Sequence, residues 1–268
     1  MFTRIAITGT GNIGVWLFNV FQNQHNMIVD FVSGRNIKTL PQDSDLYIFA
    51  LKDDVYEEVL SQIPFKMSHA VHTSGSLSQN ILAPYAMRYG VLYPYQTITE
   101  KVEKDAMMRE LNDEKIKKSS HLLPFSSFEN QGSLYRCEIP VCIEGCCLDF
   151  EKKLYQWANS IFSVVHKISE KQRFAIHLAA VFANNFTNAM CGIAYQIFKE
   201  NNLEWSLIYP LLENTLEKAK YNDPRTVQTG PAKRNDITIM KKHCNALKNE
   251  ELKILYQLVS KIIADCSI

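Results

Sequence analysis

Residues 9–14 read Gly-Thr-Gly-Asn-Ile-Gly. The run follows a short apolar stretch, residues 3–8, and leads into residues 12–24, where Ile13, Trp16, Leu17 and Val20 recur at helical spacing. A G-x-G-x-x-G run is a weak signal alone, and a specific one between a strand and a helix. There each glycine has its own task. Gly9 permits the tight turn, Gly11 lets backbone come close to a pyrophosphate, and Gly14 lets helix and strand pack closely. The N–H groups and positive dipole end at the helix start then hold the phosphates. The loop therefore predicts a dinucleotide site that includes Thr10, Asn12 and Ile13.

The following segments keep the same rhythm. Residues 27–33, 45–51, 69–73 and 90–94 are apolar runs with no strict alternation, as expected of strands covered on both faces. A helical stretch runs to about Ile63, and strands alternating with helices imply a doubly wound, mostly parallel sheet. A polar, Lys-rich stretch spans residues 100–120, and residues 139–144 and 162–168 read as late strands around a helix over 149–161. From Ser169 onward the pattern is helical over 170–200, 205–220, 236–248 and 250–265, with Pro210, Pro224 and Pro231 in or near the gaps. The fold expected is an α/β Rossmann-like domain over residues 1–168, then an all-α domain over 169–268 for substrate binding or dimerisation.

The end of the second strand bears on the cofactor. A site for NAD usually carries Asp or Glu there, to hold the ribose hydroxyls. This strand ends Ser33-Gly34-Arg35-Asn36, and Asp30 lies three residues too early. A hydroxyl and a guanidinium fork suit a 2′-phosphate, so the cofactor expected is NADP. Leu51 and Lys52 after the third strand and Ser74 after the fourth lie where ligands bind in open α/β sheets. Asp53 or Asp54 reads first as a helix N-cap.

The long helix carries a polar stripe. At about 100° per residue, His177, Asn184 and Asn188 fall on one face of an otherwise apolar helix. A buried stripe must be satisfied by partners, either a substrate or other protein groups. Further on, Lys233 and Arg234 sit in a Gly- and Pro-containing loop where they could meet a substrate anion, and Asp236 is placed to cap the next helix.

Composition narrows the classes. Twenty-nine basic and 28 acidic residues give a net charge of +1, so no global field favours nucleic acid or an anionic membrane. Seven cysteines, Cys137, Cys142, Cys146, Cys147, Cys191, Cys244 and Cys266, contain no C-x-x-C, and neither zinc nor any other metal is expected. No stretch reaches membrane-spanning length, and the N-terminus enters a strand pattern at once. A cytoplasmic protein with reduced thiols is the expectation.

The GTGNIG loop, the SGR strand end, LYPYQT (92–97), the HLAAVFANNFTNAM helix and the TGPAKRND loop occur in that order. Together they resemble a family of Rossmann-like proteins, described as NADP oxidoreductases, with a helical C-terminal domain of unknown function. More distantly the chain resembles deazaflavin-dependent NADP reductases, pyrroline-carboxylate reductases and the 6-phosphogluconate dehydrogenase-like clan. The resemblance implies homodimers built through the helical domain. Dehydrogenases of that clan use a Lys and an Asn on the interdomain helix, whereas this helix has no Lys between Lys171 and Lys199. His177 is then the acid–base candidate, with Asn184 and Asn188 to hold a substrate oxygen. Asn235 stands where the family commonly has Gly, and Asn can take the same left-handed turn. The function expected is hydride transfer between NADP and a small carbonyl, imine or hydroxyl substrate. A non-catalytic NADP-binding or sensing protein is the alternative.

Overall fold

The computed structural model describes residues 1–24, 26–96, 98 and 136–265. The Lys-rich stretch at 100–120 lies outside them. The chain divides into two compact units, Met1–Phe186 and Thr187–Ile268.

The first unit holds a seven-stranded sheet of β1 (Arg4–Thr8), β2 (Ile28–Val32), β3 (Leu46–Phe49), β4 (Met67–His72), β5 (Ala86–Pro94), β6 (Val141–Gly145) and β7 (Val165–Lys167). Their order is β2-β1-β3-β4-β5-β6-β7. The first five are parallel; β6 runs antiparallel to β5, and β7 runs parallel to β6. The order reverses between β1 and β3, so the carboxyl ends of those strands flank the crevice where open sheets bind ligands.

Both faces of the sheet are covered, as the unbroken apolar runs require. Ile5, Ile7, Ile48, Val71, Leu92 and Ile143 meet Trp16, Leu17 and Phe21 of α1 (Asn12–Gln22) and Phe150, Leu154 and Trp157 of α3 (Leu148–Asn159). On the other face Ala6, Tyr47, Phe49 and Ala70 pack against Ile37, Leu82, and Tyr56, Val59 and Leu60 of α2 (Tyr56–Leu60).

The long C-terminal helix is α-helical over α4 (Glu170–Ala180), a π-helix over Val181–Phe186, and α-helical again over α5 (Thr187–Glu200). Ser169 and Gln172 close a capping box at its start, which fixes where it begins. The boundary between the two units falls at the end of the π-helix. Buried Arg173 explains why the first half of the helix stays with the sheet, since it donates to the carbonyls of Ser74 (3.0 Å) and Leu77 (2.7 Å).

The second unit continues with α6 (Tyr209–Tyr221), α7 (Ile237–Ala246) and α8 (Glu250–Asp265). Trp205 packs edge-on to Tyr195 and Phe198, and His243 meets the Tyr256 hydroxyl at 2.8 Å. Asp236 caps α7 through the Ile239 N–H, and Asn235 takes the left-handed turn at φ 53°. Among the described residues no helix is long and apolar enough to cross a membrane.

Candidate functional site

The glycine loop separates packing from binding. Gly9 turns at φ +123°, and a Cβ on it would strike the Ala50 carbonyl. A Cβ on Gly14 would strike the Gly9 carbonyl. Those two glycines are demanded by the fold. Gly11 is different, because a Cβ there would meet no protein atom within 4 Å. Its backbone, at φ −77° and ψ 178°, is open to any residue. Gly11 is the N-cap of α1, so the helix begins with no side-chain cap and no acidic residue in its first turn. The Asn12 side chain is turned to the Ile98 carbonyl at 3.0 Å. The N–H groups of the first turn thus face no side-chain acceptor from the cap, an arrangement that fits a phosphate.

At the end of β2, Asp30 is bound to Arg4 at 3.1 Å, which removes it as a ribose ligand. The Ser33 hydroxyl accepts the Arg35 N–H at 3.4 Å and caps a 3₁₀ turn over Gly34–Thr39. Arg35 is exposed on that turn. After β3, Lys52 is the N-cap residue of the next 3₁₀ turn, Asp53–Val55, and makes no capping side-chain bond. Asp53 is therefore not a helix cap. Its carboxylate accepts instead from the Ser76 hydroxyl, which ties the loop after β3 to the loop after β4. Ser74 is buried, and its hydroxyl accepts the N–H groups of Ser76 (3.1 Å) and Leu77 (3.0 Å). It shapes its loop from within.

His177 sits on α4 above the loop after β4. Its Nδ1 lies 3.1 Å from the Tyr93 hydroxyl, at the carboxyl end of β5. A Cβ at Gly75 would come within 2.6 Å of that same Nδ1, so the ring rests on glycine backbone. Burial pushes the Tyr93 phenol up to about 12. One turn earlier on α4, Arg173 is fully buried, clamps Ser74 and Leu77, and pairs with Glu144 at 3.3 Å. Glu144 in turn accepts from the Glu170 N–H at the helix start (3.0 Å). Beneath them His72 is fully buried on β4, and its Nδ1 accepts the Ser74 N–H at 3.2 Å. Burial, with Arg173 nearby, drives His72 down to about 3, so the ring is neutral.

The polar stripe crosses a change of winding. Uniform 100° steps do not carry across Val181–Phe186, because i→i+5 hydrogen bonding changes the winding. Beyond buried Arg173, much of the helix is also exposed. Phe174, Leu178, Phe182 and Phe186 are all exposed, as are Asn184 and Asn188. Asn184 lies in the π-helix, a form that frequently marks functional positions. Asn188, Lys233 and Arg234 belong to the second unit; the cluster around His177 stands on the first unit alone.

Sequence reasoning missed Tyr93, Gly75 and Arg173 as members of this cluster. Arg173 lies four residues before His177, the spacing that puts two side chains on one helix face. That was the available signal. Among the described residues no group of three or more His, Cys, Asp or Glu side chains could hold a metal.

Residues 139–263 match a family model described as a domain of unknown function, DUF2520. No curated protein matches the chain. The chain is similar to a solved Bacteroides fragilis protein described as a candidate NADP oxidoreductase. The two are 25% identical with a TM-score of 0.75, and 98% of each chain is covered. An imine reductase from Aspergillus terreus, solved in complex with NADPH4, is 14% identical with a TM-score of 0.59, over 99% of this chain and 95% of that one. A 1-pyrroline-5-carboxylate reductase from Streptococcus pyogenes is 13% identical with a TM-score of 0.51, over 98% and 96%. The last two share the fold: a Rossmann-like sheet unit followed by helices.

Proposed function

We propose that this chain is an NADP-dependent oxidoreductase, moving a hydride between nicotinamide and a small carbonyl, imine or hydroxyl substrate. The observation that carries the reading is Gly11. It is a glycine that neither packing nor backbone conformation requires, at the uncapped start of the helix after β1. Close approach of a pyrophosphate accounts for it. The likeness to the Bacteroides fragilis protein supports the same cofactor class.

The N–H groups of Asn12, Ile13 and Gly14, with Thr10 beside them, would hold the pyrophosphate. Ser33 and Arg35 suit a 2′-phosphate, and no carboxylate stands at the end of β2 to repel it. Leu51, Lys52 and Ser74 flank the same edge of the sheet. The bound cofactor supplies or accepts the hydride. His177 gives a proton to the oxygen or nitrogen that the hydride leaves electron-rich, and recovers one from water. Asn184 is the group suited to hold a substrate oxygen. The exposed Phe182, Phe186, Leu207, Leu211 and Leu216 fit pairing with a second copy of the chain, which sedimentation would show as twice 30.8 kDa.

Thermal-shift titration with NAD, NADP and NADPH, repeated on Arg35→Ala, tests the cofactor. NADP at a hundredfold excess over its Kd should add about 2.7 kcal/mol of stability, and Arg35→Ala should narrow the preference over NAD. A preference for NAD would overturn the 2′-phosphate assignment. NADPH oxidation across a panel of carbonyls and imines then tests the chemistry. His177→Ala should slow turnover far more than it weakens NADPH binding, and unchanged turnover would remove His177 from the mechanism.

A further inference from the structure

Two separate segments meet at one nitrogen of His177. Tyr93, at the end of β5, puts its hydroxyl 3.1 Å from Nδ1. Gly75, in the loop after β4, lies under Nδ1 and Cγ so closely that any Cβ would come within 2.7 Å of both. The loop carrying Gly75 is itself held from α4 by Arg173. The inner edge of the imidazole is therefore walled on two sides. Among the described residues Nε2, on the other edge, makes no hydrogen bond.

We propose that Tyr93 is a positioning residue for His177: its hydroxyl fixes the orientation and tautomer of the imidazole so that Nε2 presents an N–H to a substrate atom. This rests on the reading of His177 as the acid–base group. The physical case is one of donors and acceptors. A phenol carries a single proton and can also accept. Tyr93 is largely buried beside Cys142, Ile176 and Ile168, and it stays protonated at neutral pH. The other groups acting on it are the Cys142 thiol, the Tyr95 phenol and the Arg173 guanidinium. In the arrangement proposed its proton points to Nδ1 and the neutral ring carries its own proton on Nε2; in the other tautomer the phenol would accept from Nδ1–H and its own proton would lose this acceptor. In the imidazolium the hydroxyl turns and accepts from Nδ1–H. In the proposed tautomer and in the cation alike an N–H stands at Nε2. A carboxylate in place of Tyr93 would behave differently, because it can only accept. It would pull the ring proton to Nδ1 and trap the cation. A hydroxyl serves a histidine that must hold one orientation through both charge states.

The test is made on the full chain labelled with ¹⁵N-histidine, with the His177 resonances identified by their loss in His177→Gln. Long-range ¹H–¹⁵N spectra above the titration midpoint should show His177 as the Nε2–H tautomer alone. In Tyr93→Phe, which keeps the ring and loses the hydroxyl, His177 should relax to a mixture of tautomers. On any carbonyl or imine that wild type reduces, Tyr93→Phe should lower kcat roughly tenfold, the lower end of what is lost when a partner that orients a metal-bound histidine is removed, with KM for NADPH unchanged. An Nδ1–H tautomer in wild type, or the same tautomer mixture in both proteins, overturns the proposal. The spectra need no turnover. If NADPH is never oxidised while the tautomer shift is seen, the enzymatic reading fails and the positioning of His177 by Tyr93 stands.

Discussion

The two units bury their apolar side chains to very different degrees. In the first, the sheet and the helices packed on it bury a continuous apolar core, while Phe174, Leu178, Phe182 and Phe186 on the long helix stay exposed. Trp157, Phe162, Phe49, Phe21 and Ile5 all fall below 2% exposure. In the second, Ala232 is the buried hydrophobic residue among those described, while Leu207, Leu211, Leu216, Ile237, Ile254 and Leu258 are exposed. A seven-stranded sheet covered on both faces is a complete core. A set of amphipathic helices is not complete until something covers its apolar stripes. The contrast places most of the sealed core in the sheet unit and leaves the helical unit with exposed apolar surface. It also sets where substitutions should be felt.

The sharpest way to break the contrast is to open the sealed side at its one buried cation among the described residues. Arg173 is fully buried, pairs with Glu144, and satisfies two loop carbonyls. Arg173→Met keeps the length and loses every one of these bonds. Removing one partner of a buried ion pair costs about 3–5 kcal/mol. For a chain of this size that is a fall in melting temperature of roughly 6–20 °C. Calorimetry on the variant decides the matter: a loss below about 1 kcal/mol, the net worth of an ordinary hydrogen bond, would mean that the first turn of α4 is not anchored through Arg173.

A second difference is expected in acid. His72 is fully buried, with its folded value near 3 against 6.5 in the free side chain, chiefly through burial. Unfolding exposes it, so between these values the unfolded state binds the extra proton. The stability it contributes is present above pH 6.5 and is lost as pH falls toward 3. One proton corresponds to about 1.4 kcal/mol per pH unit, so near pH 5 roughly 2 kcal/mol is gone. Urea melts of wild type and His72→Asn over this range compare slopes, and other titrating groups cancel in the difference. Equal slopes would show that His72 takes up its proton in the folded state as readily as in the unfolded one.

The same contrast explains what could be read from sequence. Elements announced by local periodicity were legible: all seven strands and the helices at 12–22, 148–159, 209–221, 237–246 and 250–265 lie where the apolar pattern places them. So were features set by one residue, such as the Asp236 cap and the left-handed Asn235. The π-helix was not, because nothing in VFANNF distinguishes i→i+5 from i→i+4 bonding. Neither was the cluster around His177. Tyr93 and His177 are 84 residues apart, Ser74 and Arg173 99, and sheet order brings them together. Arg173 is also hidden by its setting, since the apolar run begins at Phe174 and the arginine reads as part of a polar lead-in.

The smallest expected effect on stability is also the most decisive for function, because it parts two glycines of one loop. Gly14 is a packing glycine, and any side chain there collides with the Gly9 carbonyl. Gly11 has open space around it and a backbone that alanine adopts without strain. Gly11→Ala should therefore change the stability of the free protein little, because the roughly 0.4–1 kcal/mol gained from a less flexible unfolded chain is offset by the poorer N-cap that alanine makes. If Gly11 is glycine so that a pyrophosphate can approach, the same methyl should weaken NADPH binding at least tenfold, about 1.4 kcal/mol. Lost binding with little change in stability is a combination that no purely structural role produces. A Gly11→Ala protein that binds NADPH as tightly as wild type would leave that glycine unexplained and take away the observation on which the cofactor assignment rests.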